Sequence, residues 1–209
     1  MAVNTSELRE RYLLVKDSLG YIADRIEKNL SEVLEGISHI DRITSRVKTV
    51  DSFLGKASKM QGDGSPKYKV PFKEIQDFIG ARVVVYFNSE IPPISGKVRE
   101  YYTTIEKQQL VPDDVRKFGY EGTHLVCSIP SFMYPETGHK HLLPNFFEVQ
   151  IKTLYQHAWS QANHGLGYKP GTPLSFDDER RLAFLSAQSW GADRMLMDIL
   201  EQRVIDIMD

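Results

Sequence analysis

The sequence contains only one cysteine, Cys127, among its 209 residues. A single cysteine excludes an intramolecular disulfide framework and any zinc site that needs several cysteine ligands. The residues around it, from His124 to Ile129, follow the pattern of a half-buried strand. We therefore expect a packed thiol rather than a catalytic nucleophile.

Long hydrophobic runs are also absent. Apolar stretches such as residues 83–87 are far shorter than the ~20 residues that a membrane-spanning helix needs. Residues 1–11 are polar and include Glu7 and Glu10, which is unlike a secretory signal. These features predict a cytoplasmic protein without a membrane partner.

A large excess of one charge sign is missing as well, because 26 Lys and Arg oppose 28 Asp and Glu, for a formal charge of −2. This balance disfavours a protein that coats nucleic acid non-specifically, which would need a cationic excess. The charge is nevertheless unevenly placed. Residues 41–69 carry seven basic and three acidic side chains, which predicts either a solvated charged face or a local basic cleft.

Apolar residues at three- and four-residue steps predict a helix within residues 1–40 and another within residues 175–209. Between them, β-branched and aromatic runs predict strands at residues 81–87, 123–129 and 146–152. Residues 94–110 have a helical or mixed pattern, and residues 130–144 have the composition of a long hairpin loop. This order predicts one α+β domain, with a mixed or antiparallel sheet at residues 41–170 and helices flanking it.

Polar side chains lie on or beside these predicted strands. Asp77 and Arg82 flank the start of one strand, where an acid can bind a metal and an arginine can bind phosphate. Glu148, Gln150 and Lys152 share one face of another strand, whose opposite face is apolar. Such a face borders either solvent or a cleft, and the residue pattern leaves both possibilities open.

Several short motifs occur together in one known family. In chain order they are RVK at 46–48 with Ser52 and Lys56, Asp77-x-x-Gly80-x-Arg82, Gly119-Tyr120-x-x-x-His124, FEVQIKT at 147–153, HAW at 157–159 and HGLGYK at 164–169. These motifs closely resemble the synthetase domain of the RelA/SpoT family over about residues 42–170. Enzymes of that family have a nucleotidyltransferase-like fold and transfer pyrophosphate from ATP to a nucleotide 3′-hydroxyl, which makes alarmones.

The resemblance implies a role for each motif residue. Asp77 and Glu148 would bind Mg²⁺, and Glu148 would also take the proton from the attacking hydroxyl. The residues implied to bind the phosphates of ATP are Arg46, Lys48, Ser52 and Lys56, with Arg82 as a further catalytic cation. The residues implied to bind the acceptor are Arg116, Tyr120, His124, Gln150 and Lys152, with Tyr120 stacked on the base.

The departures from the family pattern concentrate on the acceptor side. Phe118 stands where these enzymes usually have an asparagine, and Arg116 takes the place of the usual basic residue. Glu121-Gly122 replaces a usual basic or glutamine residue followed by serine. Lys152 stands where arginine is common, which loses the bidentate geometry of a guanidinium. The motif residues for ATP are all present.

The leading functional prediction is therefore a small stand-alone alarmone synthetase that uses GDP or GTP. The main alternative is a toxin of the same fold that pyrophosphorylates the tRNA 3′ end or makes adenosine alarmones. An inactive nucleotide-binding module is disfavoured because the residues predicted for ATP and Mg²⁺ are intact. A family hydrolase is not expected, since no adjacent His-Asp pair occurs. The apolar stripes of the terminal helices leave open self-packing, a homo-oligomer or a protein antitoxin.

Overall fold

The structure, a computed structural model, describes residues 4–114, 117–119, 122–167 and 173–208. In these ranges, one sheet of five strands is surrounded by six α-helices. The strands are β1 (Ile40–Val47), β2 (Ile79–Val85), β3 (Thr104–Leu110), β4 (Gly122–Ser128) and β5 (Phe146–Thr153). The helices are α1 (Thr5–Val33), α2 (Val50–Ala57), α3 (Pro71–Glu74), α4 (Ile91–Tyr101), α5 (Leu154–Gly167) and α6 (Phe176–Met208). Within the described chain, every helix is too short or too polar to cross a membrane.

The sheet is mixed, with the strand order β1-β2-β5-β4-β3. Strands β2 and β5 run parallel, and the other neighbouring pairs are antiparallel. Residues 129–145 connect the antiparallel strands β4 and β5, as the loop composition predicts. The predicted α+β fold, with helices flanking a mixed sheet, is confirmed.

Helix α1 covers one face of the sheet because its apolar residues recur on a single helical face. Asn4 caps the helix by accepting a hydrogen bond from the amide of Glu7 at 3.2 Å. The helix ends at Val33, and Gly36 adopts a φ of 81° in the turn that follows. The helical segment is thus shorter than the predicted range 1–40, since β1 already begins at Ile40.

The two faces of the sheet have opposite character. Phe147, Val149 and Ile151 of β5 are completely buried beneath α1 and α4, in the main core. Glu148 and Gln150 alternate with them and project from the other face. The alternation predicted for this strand therefore holds, and its polar side chains face a cleft rather than open solvent.

The sequence pattern does not predict strands β1 and β3. These two strands form the edges of the sheet, and most of their side chains are exposed or half-buried. An edge strand with polar residues on much of its surface gives a weak hydrophobic alternation. The pattern at residues 94–110 therefore mixes two elements, which are helix α4 and strand β3.

Candidate active site

A cleft of about 280 Å³ opens on the polar face of the sheet. Its walls come from β1, β2 and β5, from the start of α2 and from His164 near the end of α5. Seven of the residues predicted from the sequence line it, namely Arg46, Lys48, Ser52, Asp77, Arg82, Glu148 and Gln150. The fold thus brings together side chains that lie up to a hundred residues apart in the chain.

Strand register explains why these side chains meet. Arg46, Gly80 and Glu148 lie opposite one another across β1, β2 and β5. Arg82 and Gln150 belong to the next row on the same face, since alternate residues of a strand point the same way. A Cβ at Gly80 would meet no atom within 4 Å, so the glycine leaves open space between Arg46 and Glu148.

Two lysines bind the carboxylate of Asp77. The Nζ of Lys48 lies 2.9 Å from Oδ2, and the Nζ of Lys56 lies 2.9 Å from Oδ1. Burial alone would raise the pKa of Asp77, but the hydrogen bonds and charges of Lys56 and Lys48 lower it overall. Asp77 is therefore an ionised carboxylate whose charge the two lysines balance.

The segment from Arg46 to Lys56 consists of the end of β1, two connecting residues and helix α2. Arg46 is on β1, Lys48 follows the strand, and Ser52 and Lys56 are on α2. The Thr49 side chain caps α2 by accepting a hydrogen bond from the Ser52 amide at 3.3 Å, and its hydroxyl donates to Ser52 Oγ at 2.8 Å. The uncapped N–H groups at this helix start favour negative charge, such as that of a phosphate.

Helix α1 holds this segment in place. The hydroxyl of Tyr12 donates a hydrogen bond to the backbone carbonyl of Lys48. The amide of Ser45 donates to a carboxylate oxygen of Glu27 at 2.6 Å, and its hydroxyl donates to the carbonyl of Ala23 at 2.9 Å. The edge strand β1 is thereby attached to α1 immediately before the residues that enter the cleft.

Glu148 lies at the centre of a second group of contacts. Its Oε1 is 3.0 Å from Nδ1 of His124 and accepts a hydrogen bond from the Gln150 amide at 2.5 Å. Burial alone would raise its pKa, but the interactions with His124 and Gln150 lower it below the usual value for glutamate. The side chain is consequently ionised at neutral pH and can accept a proton.

Arg82 connects these contacts to helix α5. Its guanidinium donates to Nδ1 of His157 at 3.1 Å and to Oε1 of Gln150 at 3.4 Å. Because arginine is always a donor, Nδ1 of His157 must be unprotonated to accept this bond. Burial and the nearby charge of Arg82 lower the pKa of His157, which favours that neutral form.

Lys152 does not line the cleft. Only 2% of the residue is exposed, and its Nζ donates to the hydroxyl of Ser160 on α5 at 3.1 Å. Burial and the repulsion of Arg82 lower its pKa to about 7. The sequence assigned Lys152 to the acceptor, whereas the structure places its side chain on the polar face of the sheet, covered by α5.

The acceptor side is described only in part. Arg116 and Tyr120, which the sequence assigned to acceptor binding, lie outside the described residues. His124 is on β4 beside Glu148, and Phe118 and Gly119 contact helix α6. Of the residues predicted for the acceptor that the structure describes, His124 and Gln150 both contact Glu148.

The donor set of the cleft suits Mg²⁺. The pKa of Glu148 is lowered overall, but the negative charge of Asp77 opposes that lowering. The two carboxylates therefore lie close enough to interact. Mg²⁺ is typically bound by one or two carboxylates together with substrate phosphates and water. Asp77 and Glu148 fit that requirement once a triphosphate occupies the basic part of the cleft.

Thr49 and His157 are the main contributors that the sequence reasoning missed. Thr49 caps α2, and a threonine directly before a helix is a signal that a capping analysis could have found. His157 belongs to the motif HAW, but its role depends on a contact with Arg82, seventy-five residues earlier in the chain. Local sequence carries no trace of that contact.

The family described as "Region found in RelA / SpoT proteins" matches residues 45–172. The chain belongs to the RelA/SpoT family. A curated relative, GTP pyrophosphokinase YjbM of Bacillus subtilis, is 30% identical over 147 residues, which are 68% of this chain and 63% of the relative. The similarity to that relative thus spans somewhat less than two thirds of its length.

Solved structures show the same fold for this RelA/SpoT family chain. Small alarmone synthetase 1 of Bacillus subtilis superposes with a TM-score of 0.68 and 22% identity, over 91% of this chain and 94% of the other. Structures of the same synthetase bound to its product pppGpp and to AMPCPP give TM-scores of 0.66 and 0.61, at 22% and 21% identity. Each covers 91% of this chain and 95% of the other.

The matched region does not include all of this RelA/SpoT family chain. It begins within β1 and ends just after α5. Helix α1, which holds β1, and helix α6, which contacts Phe118 and Gly119, both lie outside it. Parts of the chain beyond the family region therefore support the cleft.

Proposed function

We propose that this chain is an ATP-dependent pyrophosphokinase that transfers pyrophosphate from ATP to the 3′-hydroxyl of GDP or GTP and releases AMP. The main support is the cleft itself, where Lys48 and Lys56 flank Asp77 and a carboxylate and a histidine, Glu148 and His124, pair nearby. Such a cleft offers cations for a triphosphate and a carboxylate for a proton.

The donor side would bind ATP through charge. Arg46, Lys48, Lys56 and Arg82 would neutralise the phosphate oxygens, and Ser52 would hydrogen-bond one of them. Transfer of a phosphoryl group depends mainly on positioning and on electrostatic stabilisation of the phosphate oxygens. The hydrogen bonds of Arg82 to His157 and Gln150 hold its guanidinium in one orientation, which favours such stabilisation.

The chemical step would then form one bond and break one. The 3′-oxygen of the acceptor attacks the β-phosphorus of ATP, and the bond from that phosphorus to the oxygen of the α-phosphate breaks. AMP leaves with that oxygen, and the proton of the 3′-hydroxyl passes to Glu148. Mg²⁺ held by Asp77 and Glu148 would supply neutralisation of the phosphate charge.

The guanine acceptor is supported by the relatives. One is named a GTP pyrophosphokinase, and the other has pppGpp as its product. We propose the same acceptor class for this chain, with Tyr120 stacking on the base and His124 near the acceptor phosphates. Because the proposed substrates are free nucleotides, we also propose that the protein is cytoplasmic.

The acceptor assay tests this proposal directly. The protein would be incubated with Mg²⁺ and ATP labelled on its terminal phosphate, and GDP, GTP, AMP and bulk tRNA would be offered separately. We expect label on GDP or GTP with equal release of AMP. Glu148→Gln, which keeps the shape of the side chain, should lower the rate about 10²- to 10⁴-fold, the range typical of a lost general base.

Other outcomes would contradict it. Label on tRNA alone, or on an adenosine nucleotide alone, would assign this chain to the toxic relatives of the same fold. Equally low AMP release by the wild type and by Glu148→Gln with every acceptor would identify an inactive binding module instead.

A further inference from the structure

Helix α6 contacts the chain directly before the predicted acceptor-binding tyrosine. The hydroxyl of Ser186 donates a hydrogen bond to the backbone carbonyl of Gly119 at 2.7 Å. The ring of Phe118 packs edge-on against the indole of Trp190, with 6.0 Å between centroids. Two successive residues are therefore bound to one helix, and Tyr120 follows them in the chain.

The same face of α6 is attached firmly to the catalytic domain. The indole N–H of Trp159 on α5 donates to the carbonyl of Leu182 at 2.9 Å. The hydroxyl of Thr153, the last residue of β5, donates to the carboxylate of Asp193 at 2.8 Å, and both residues are buried. These two bonds fix α6 relative to the strand that carries Glu148.

The two contacts with residues 118–119 lie between the two attachment points along the helix. Leu182, Ser186, Trp190 and Asp193 follow one another at steps of four, four and three residues, which places them on a single helical face. This stretch of the helix is thus held in a fixed position on the domain. It is anchored to β5 and α5 at both ends of this stretch and binds Phe118 and Gly119 between the anchors.

Phe118 differs from the family pattern and contacts α6. The resemblance to alarmone synthetases places a polar asparagine at this position, and an aromatic ring cannot replace its hydrogen bonds to a nucleotide. In the structure the ring packs on Trp190, so the residue contacts the protein instead. The aromatic ring that replaces the asparagine at residue 118 thus has an aromatic partner on α6.

We propose that Ser186 and Trp190 are positioning residues, which set the affinity for the acceptor nucleotide by fixing Phe118 and Gly119, and that they act from outside residues 45–172. This inference rests on the proposed function, because it concerns the acceptor of that reaction. ATP binding depends on β1, β2 and α2, which neither residue contacts, so it remains unchanged.

The test separates the two substrates. AMP release by the full chain would be measured with ATP varied at saturating GDP and with GDP varied at saturating ATP, for Ser186→Ala and Trp190→Ala. We expect each variant to raise the KM for GDP about threefold to tenfold, the effect of one lost hydrogen bond or aromatic contact. The KM for ATP and the binding of ATP measured by calorimetry should change less than about twofold.

Two further variants serve as controls. Met195→Ala removes a side chain of α6 that is 62% exposed and should leave both KM values at those of the wild type. Trp190→Phe keeps an aromatic ring opposite Phe118 and should restore most of the affinity for GDP. If Trp190→Ala unfolds at the assay temperature, Trp190→Leu provides a milder replacement, whereas Ser186→Thr keeps the hydroxyl donor and should keep the KM for GDP close to that of the wild type.

The possible failures are distinct. If the wild type releases no AMP with GDP or GTP, the proposed function is wrong. If the wild type is active but Ser186→Ala and Trp190→Ala keep its KM for GDP, the positioning role is refuted while the function stands. Equal increases in the KM for ATP and for GDP would indicate a general structural effect and would also refute it.

Discussion

On the donor side of the cleft, Lys48 and Lys56 bind Asp77 directly, and each distance is 2.9 Å. On the acceptor side, the described chain before Tyr120 is held by helix α6, through Ser186 and Trp190. Both sides are thus held by a helix outside the matched residues 45–172, the donor side by α1 and the acceptor segment by α6, but the donor residues additionally pair with one another. Changes in α6 could alter acceptor use without disturbing ATP.

The donor side also shows a consequence of its own charges. The lysines that would bind the triphosphate form ion pairs with the carboxylate that would bind Mg²⁺. Without substrate, the lysines and the carboxylate are therefore paired with each other. If the lysines bind the triphosphate as proposed, they would have to leave Asp77, whose carboxylate would then be available to hold Mg²⁺. Metal and triphosphate should therefore bind more tightly together than separately.

The largest expected effect concerns Asp77. Asp77→Asn should lower pyrophosphate transfer by at least about 100-fold, because a charge proposed to hold Mg²⁺ is lost. The same variant should bind ATP more tightly when EDTA removes the metal, since both lysines are freed. We expect a gain of about threefold to tenfold, from two partly exposed ion pairs.

Calorimetry with ATP in EDTA measures this gain. Glu148→Gln is the matched control, because Glu148 contacts His124 and Gln150 rather than the lysines, and its metal-free affinity should equal that of the wild type. If Asp77→Asn binds ATP without metal no more tightly than the wild type does, the ion pairs with Asp77 do not weaken the binding of ATP by the lysines.

The next prediction concerns Lys152, which belongs to neither side of the cleft surface. Its pKa is lowered to about 7 in the folded chain, whereas an unfolded lysine titrates near pH ~10.4. Between these values the unfolded chain binds more protons, so this residue makes stability rise with pH. The free energy of unfolding should gain about 1 kcal/mol per pH unit above pH 7 from this residue.

Urea unfolding at pH 7.0, 7.5, 8.0 and 8.5 measures this slope. Lys152→Met keeps the length of the side chain without its charge and should remove most of the slope. Cys127 also contributes in this range, because burial raises its folded pKa to about 11 while an unfolded thiol titrates near pH ~8.5, but both proteins share it and the difference between their slopes reports Lys152. Identical slopes for the wild type and the variant would mean that Lys152 stays charged in the fold.

The smallest expected effect concerns His157, which orients Arg82. His157→Leu removes the acceptor for the guanidinium and should lower the rate of transfer about threefold, with His157→Gln intermediate because its amide oxygen can still accept. Protonation would end the contact, and the lowered pKa places that change below pH ~6.5. The wild-type rate should therefore fall more steeply from pH 7 to pH 5.5 than that of His157→Gln.

Rates measured at saturating substrates across this range decide the matter. Arg42, Asp41 and Lys152 also influence His157 electrostatically, and both proteins share them, so the difference between the two profiles isolates the imidazole. Parallel profiles would leave His157 with only a structural role on α5.

Local sequence was sufficient for some elements and insufficient for others. The strict alternation of β5 predicted its two faces, because side-chain direction in a strand depends only on position. Strands β1 and β3 were not predicted because they lie at the sheet edges, where polar residues obscure the hydrophobic alternation. The burial of Lys152 could not be read from the strand either, because it depends on α5 packing over that end of the sheet.

The sequence by itself determined the family and the α+β class and predicted the donor residues, since these are carried by motifs whose order survives in the chain. The tertiary structure decided which of these groups bind one another: two lysines on Asp77, His157 on Arg82, and α6 on Phe118 and Gly119. The physical reason is distance along the chain. Local periodicity reports the direction of a side chain, whereas its partner, up to seventy-five residues away, is chosen only when helices pack on the sheet.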